Sequence, residues 1–171
     1  MSMYGLNGSI PKTLVRHLVR HEAQLASEAG NTVLAGCLID ILETPVSPEL
    51  LPTSESGEIA QETESIIGPY EIHDFYLYYI LRYGFSPKKI FRIAQQALGS
   101  KYSSDVLVYW LRNFYRRFFM QQFKRSCLPD GPKTGTITLS PRSDWKMPSD
   151  ALNTVWMEEA AQLEAELKKE Q

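Results

Sequence analysis

Two cysteines in 171 residues, Cys37 and Cys127, are too few for a disulfide framework and lack the paired spacing of a metal site. That is the cysteine usage of a reducing cytosol. Cys37 falls on an apolar helical face and is expected in the core, whereas Cys127 borders a basic loop and is expected to be a free thiol. Long apolar runs are missing too. The longest, Val33 to Leu42, is interrupted by Asp40 and is too short to cross a bilayer. The N-terminus has no basic region followed by an apolar one, as a secretory signal would. The expectation is a soluble, cytoplasmic chain without a membrane partner. GxxxxGK[ST], GxGxxG, the serine-hydrolase elbow and HExxH are all absent. Strand-like alternation is nearly absent, with one weak case at Thr134 to Leu139. Nothing in the chain reads as a self-sufficient active site.

Basic residues are missing from one long window. Between Arg20 and Arg82 there is no lysine or arginine, while eleven acids from Glu22 to Asp74 fall there. From Arg82 to Lys146 the balance reverses, and Asp105, Asp130 and Asp144 are the only acids. Segments of opposite sign suit packing against each other or meeting partners of different charge. The net charge of −2 argues against a general nucleic-acid binder. An apolar fraction of 43% and a charged fraction of 22% are ordinary for one globular domain of this length.

What is present is helical periodicity. Ser9 is placed to cap a first helix with Pro11 in its opening turn and an apolar stripe of Leu14, Val15, Leu18, Val19 and Leu25. Asn31 is placed to cap a second helix that runs to Thr44-Pro45. Its stripe is Val33, Leu34, Cys37, Leu38, Ile41 and Leu42, and the two should pack as a hairpin. Pro69 opens a third helix that Gly84 ends. Its aromatic content exceeds the needs of one core face, so part of it should meet another surface. Ser86-Pro87 starts a fourth. The fifth and longest is expected from about Ser104 to Ser126, with Leu107, Trp110, Leu111, Phe114, Phe118 and Phe119 inward and Tyr109, Arg112, Asn113 and Arg116 outward. A last amphipathic segment runs from Ser149 to about Lys168. The fold class expected is therefore mainly α, five to six helices with long loops.

Two segments break this pattern. Residues 44–68 are rich in proline, serine and glutamate, and a structureless loop of that length is usually functional or disordered, which suits a mobile lid over a ligand. The stretch from Gln122 to Trp145, with the adjoining Lys146, gathers Lys124, Arg125, Lys133 and Arg142 among three prolines and two glycines. Proline fixes φ and glycine permits φ > 0, so such a loop holds a shape without being a helix or strand. A fixed cationic loop suits an anionic ligand such as phosphate, and a solvated basic loop is the plain alternative. His17 and His21 are spaced i, i+4, but with Arg16 and Arg20 adjacent and no third ligand they read as a solvated face, so no metal site is expected. His73-Asp74 reads as a structural pair on an aromatic helix.

Five segments in collinear order over roughly residues 4 to 155 carry a resemblance: NGSIPKTLVRHL, TPVSPELLP, GPYEIHDFYLYYILRYGFSPKKI, FYRRFFMQQFKRSCLPDGPK and LSPRSDWKMPSD. Together they resemble the C-terminal end of bacterial glutamine-dependent NAD synthetases. The resemblance implies that residues 1–171 correspond to the C-terminal part of the α/β adenine-nucleotide alpha-hydrolase-like synthetase domain, a helical cap on its parallel sheet. That enzyme adenylates the nicotinate carboxylate of deamido-NAD with ATP and Mg2+, then lets ammonia from glutamine displace AMP. The SGGxDS-type ATP loop and the glutaminase Glu-Lys-Cys set are not in this sequence. By the resemblance the chain is roughly the last quarter of its parent, inactive alone and holding no cofactor by itself.

Site residues follow from the same resemblance. Lys12 matches a lysine that contacts ATP phosphate, and Ser47 stands where simpler synthetases have a threonine that contacts ATP. Here Ser47-Pro48 departs from the Thr-Ala of that motif. The acidic stretch Gln61 to Glu64 corresponds to a loop that closes over the site. Lys124 matches the lysine of an HKR motif that contacts deamido-NAD, with Phe123 in place of the histidine. Asp144 matches an aspartate near the nicotinate and the ammonia entry, a candidate to bind ammonium or take a proton. Without the resemblance, Lys124 reads as a partner for a glutamate, and Asp144 as a partner for Arg142 or Lys146. The basic loop, residues 127–148, is then the substrate-proximal loop. Implied partners are deamido-NAD, ATP, the remaining synthetase and glutaminase domains, and further copies of the chain. The rival is a stand-alone, non-catalytic helical module that binds nucleotides or RNA through Arg112, Arg116, Arg117, Lys124 and Arg125.

Overall fold

In the computed structural model, residues 4–44 and 68–170 are described. They form seven helices: α1 (Lys12–Glu28), α2 (Thr32–Glu43), α3 (Tyr70–Tyr83), α4 (Pro87–Leu98), α5 (Ser104–Met120), α6 (Gln122–Ser126) and α7 (Thr154–Glu170). No strand occurs among the described residues, and Thr134–Leu139 is loop. The one β feature is an isolated parallel bridge between Tyr4 and Asp130. The mainly α expectation holds. The chain divides into two compact units, Pro11–Tyr70 and Met1–Ile10 with Glu71–Gln171.

The first unit contains the α1–α2 hairpin. Gly30 takes φ 78°, a value that suits a residue without Cβ. It closes α1 by donating to Ser27 O at 3.0 Å, while Asn31 N donates to Ala26 O at 2.8 Å, the paired bonds of a Schellman turn. Asn31 then caps α2 by accepting from Leu34 N at 3.1 Å, as its position in the sequence suggests. Arg16 Nη2 donates to Leu42 O at 2.7 Å and ties the two helices together. Burial departs from the stripe reading: Ala23, Ala26 and Leu42 are buried, while Leu14, Leu18 and Leu25 remain 43–45% exposed, as do Val33, Leu34 and Ile41 to a greater degree. Cys37 is exposed rather than in the core. In this hairpin the buried residues of α1 are the small alanines, while its leucines stay partly exposed.

The second unit holds the main core. Ile72 and Tyr76 of α3, Ile90 of α4, Leu107, Leu111 and Tyr115 of α5 are all at 0% exposure. Their two phenols stay paired: Tyr76 donates to Leu107 O at 2.8 Å and Tyr115 to Phe85 O at 3.3 Å. The aromatic surplus of α3 divides as expected, with Tyr76 inside and Tyr78 and Tyr83 half exposed. Ser103 caps α5 through Val106 N. That helix does not run to Ser126. It stops at Met120, Gln121 breaks the helical path, and α6 resumes for five residues. Trp110 is only partly buried, unlike the other residues expected inward.

The last helix starts at Thr154, later than Ser149, and lies on α4 and α5. Ala160 and Leu163 are buried there, and Trp156 packs on Phe119 with ring centroids 4.9 Å apart. Polar bonds fix its direction. Glu159 Oε1 accepts from Ser86 Oγ at 2.7 Å and Lys88 N at 2.8 Å, so a side chain of α7 caps the N-terminus of α4. Among the described residues, no helix is long and apolar enough to cross a membrane.

Candidate functional site

The basic loop is fixed at both ends. Where α5 breaks, Gln122 turns inward to 0% exposure; its Nε2 donates to Met147 O at 2.9 Å and its Oε1 accepts from Arg125 Nε at 2.8 Å. Arg125 lies over the Phe118 ring, 4.0 Å from its centroid, and also donates to Phe118 O. Burial lowers its pKa to about 10, so it remains a cation at neutral pH. At the far end Trp145 stands edge-on to Phe118 at 5.3 Å. Gln122 therefore joins the loop's entry to its exit, a role that its position in a helical pattern does not reveal.

Within the loop, polar groups take over from secondary structure. Asp130 O accepts from Gly5 N at 2.6 Å, and the Asp130 carboxylate pairs with Arg142, which also donates to Leu128 O. Gly131 lies so near this crossing that a Cβ there would run into the Gly5 carbonyl oxygen. Ser9 does not cap α1, whose N-cap is Pro11. Its hydroxyl instead contacts Thr138 Oγ1 at 2.7 Å and Pro132 O at 3.2 Å, pinning the loop to the N-terminal segment. A shallow cavity of about 60 Å³ opens between these strands of chain, lined by Gly5, Gly8, Ser9, Pro129, Gly131 and Thr138 among others.

Asp144 sits at the centre of this network. Its Oδ2 accepts from Thr138 N at 2.9 Å and pairs with Lys133 Nζ at 2.8 Å. The partner is Lys133, not Arg142 or Lys146: Arg142 is committed to Asp130 and Leu128, twelve and fourteen residues upstream. The Lys133 ammonium, with help from the Thr138 N–H, holds the Asp144 carboxyl below the usual carboxylate range. The group is an anion at neutral pH, able to bind a cation and a weak base for removing a proton.

Lys124 is exposed on α6, and its ammonium has no hydrogen-bond or ion-pair partner among the described residues. Lys12 is the first residue of α1, exposed, in a first turn that carries no acid. It belongs to the other unit from Lys124 and Asp144. Ser47, the Gln61 to Glu64 stretch and nearly all of the 44–68 segment lie outside the described residues. His17 and His21 are exposed, and His73 packs against Trp110 and Phe114 with centroids 6.0 Å away. Among the described residues, no group of three His, Cys, Asp or Glu side chains is placed to hold a metal ion.

The cationic patch of the RNA-binding alternative is largely spent on the fold. Arg125 faces the core, Arg112 pairs with Glu164 at 3.0 Å, and Arg116 donates to Asn113 at 3.0 Å. Of the phenylalanines beside them, Phe114, Phe118 and Phe119 are buried and offer no face to a base, while Phe123 is exposed.

No family model matches the chain. Curated proteins do. A glutamine-dependent NAD(+) synthetase of Mycobacterium bovis is 39% identical over 177 aligned residues, as is that of Mycobacterium tuberculosis, and that of Mycobacterium leprae is 38% identical. Each alignment takes in 93% of this chain and 26% of the relative, so the chain spans about a quarter of the length of the curated relatives it matches. The resemblance drawn from five segments thus extends over nearly the whole chain.

Proposed function

We propose, from that similarity, that this chain is the C-terminal part of a glutamine-dependent NAD(+) synthetase and that its basic loop completes the deamido-NAD pocket. The observation that carries the reading is 39% identity over 93% of the chain to enzymes of that name. In the reaction proposed, the nicotinate carboxylate attacks the α-phosphorus of ATP and pyrophosphate leaves. Ammonia then adds to the acyl carbon, the C–N bond forms, the C–O bond to AMP breaks and one proton is released. Lys124, exposed and without a side-chain partner among the described residues, is the cation we assign to deamido-NAD. Lys12, at the start of a helix whose dipole favours an anion, is assigned to ATP phosphate, and Ser47 to ATP. Asp144, ionised and held in place, is assigned to the incoming ammonium rather than to proton removal.

Mg2+ enters this reading as part of the ATP substrate complex. Without the ATP loop the chain is inactive alone, and its partners are the remaining synthetase and glutaminase domains in the cytoplasm. Exposed Tyr78, Tyr83, Tyr109, Met120 and Phe123 supply apolar surface for those contacts and for oligomer formation. The test is an immunoblot of source-cell lysate with an antibody against residues 149–170, followed by assay of the immunoprecipitate for NAD formation from deamido-NAD, ATP and glutamine. A band several-fold heavier than 19.5 kDa with activity is expected. A 19.5 kDa band without activity overturns the reading.

A further inference from the structure

The side chain on Asp144 is itself an alkylammonium. Lys133 Nζ lies 2.8 Å from Oδ2, where a free ammonium ion would also sit, and both present N–H donors around a single positive nitrogen. We infer that Lys133 fills the ammonium position of Asp144 from within the chain, and that substrate ammonium must displace it, so that Lys133 sets the affinity for the nitrogen donor. This rests on the assignment of Asp144 to ammonium.

The two partners are held unequally, which makes such an exchange feasible. Asp144 is anchored: its Oδ2 keeps the Thr138 N–H, and Thr138 is 7% exposed with its hydroxyl 2.7 Å from Ser9 Oγ. Lys133 is 43% exposed on its side chain, and its ammonium has no other partner among the described residues. A flexible four-carbon stem lets it swing into water without disturbing the loop. Arg142 will not take its place, because Asp130 and Leu128 O already hold its guanidinium. Displacement therefore moves one side chain and leaves the carboxylate where it is.

The experiment is ammonium-dependent NAD formation by the full-length enzyme at fixed pH and saturating ATP and deamido-NAD. Lys133→Ala and Lys133→Met, the second keeping most of the apolar stem, should lower the KM for ammonium about two- to fivefold with little change in kcat, the range an exposed ion pair supports. Lys133→Arg, still cationic, should keep it at or above the wild-type value. Asp144→Asn should raise it. If Asp144→Asn raises the KM while Lys133→Ala and Lys133→Met leave it unchanged or higher, the displacement inference is overturned and the Asp144 assignment stands. A wild-type KM in Asp144→Asn overturns both.

Discussion

Lys124→Ala separates a ligand contact from a structural one, because the structure gives this lysine nothing to hold. Its side chain is exposed and unpaired among the described residues, and only its backbone N–H is used, donating to Gln121 O at 3.1 Å. Replacement at such a position changes folding stability by less than about 0.5 kcal/mol. A hydrogen bond from an ammonium to a charged ligand group contributes about 1.5–3 kcal/mol, which is roughly ten- to hundredfold in affinity. The full-length variant, assayed with ammonium as nitrogen donor, should show the KM for deamido-NAD raised by that factor. Its melting temperature and its uncoupled glutamine hydrolysis should match the wild type, and Lys124→Arg should recover part of the loss. A KM within twofold of wild type would sink the assignment. Loss of activity accompanied by a lower melting temperature would show instead that the lysine supports the fold.

Three further outcomes follow from the geometry. Glu159→Ala removes the carboxylate that caps α4 from α7 and should cost about 1–2 kcal/mol, combining a lost cap with a lost charge at a helix N-terminus; urea unfolding should show a lower midpoint at unchanged slope, and an unmoved midpoint would refute the capping role. The Asp144 carboxyl titrates below its unfolded value, so the stability it contributes is present above the ordinary carboxylate range and is lost as pH falls through the lower, folded pKa; the difference in unfolding midpoint between wild type and Asp144→Asn should be constant near neutrality and vanish on acidification. Purified chain should self-associate through the exposed apolar surface of Tyr109, Met120 and Phe123, and Met120→Glu with Phe123→Glu should shift it toward a 19.5 kDa species in sedimentation; wild type sedimenting at that mass at every concentration would contradict this.

Sequence reading reached the features whose causes are local. Asn31, Pro87 and Gly84 mark helix ends through bonds and dihedrals that span a few residues, and all do so in the structure. Ser9 has the same local credentials as a cap, yet its hydroxyl is used 129 residues away, a pairing with no local signature. The break at Gln121 has no proline or glycine to announce it; it accompanies the burial of Gln122 against Met147 O, again at long range. Periodicity found the apolar stripes of α1 and α2 but does not say what covers a stripe, which is why Cys37 was expected inside and lies outside. Residues 45–67, and Ser47 with them, lie outside the described residues, so the lid reading still rests on composition and resemblance. The link from Asp144 to Lys133 depends on how the ten loop residues between them fold back, so the nearer Arg142 and Lys146 look equally suitable in sequence.

That loop geometry bears on which form of the nitrogen donor the site selects. An anion already neutralised by a lysine gains nothing from neutral ammonia, because displacing Lys133 would then leave the Asp144 carboxylate uncompensated. Exchanging one ammonium for another preserves the local charge and the hydrogen bond to Oδ2, while Thr138 N keeps the carboxylate oriented throughout. Selection of the cation and removal of its proton become separate steps: the depressed pKa that favours the first makes Asp144 a poor acceptor in the second. The proton must leave by another group or by water once ammonium stands near the adenylated carboxyl. Lys133→Ala should therefore tighten ammonium binding by removing the competing ammonium and, by raising the carboxyl's pKa, make Asp144 a better base at once. For that reason the pH dependence of kcat in this variant is informative beyond its KM: an acid limb shifted toward neutrality would mean that the ionised carboxylate is required in the bound complex.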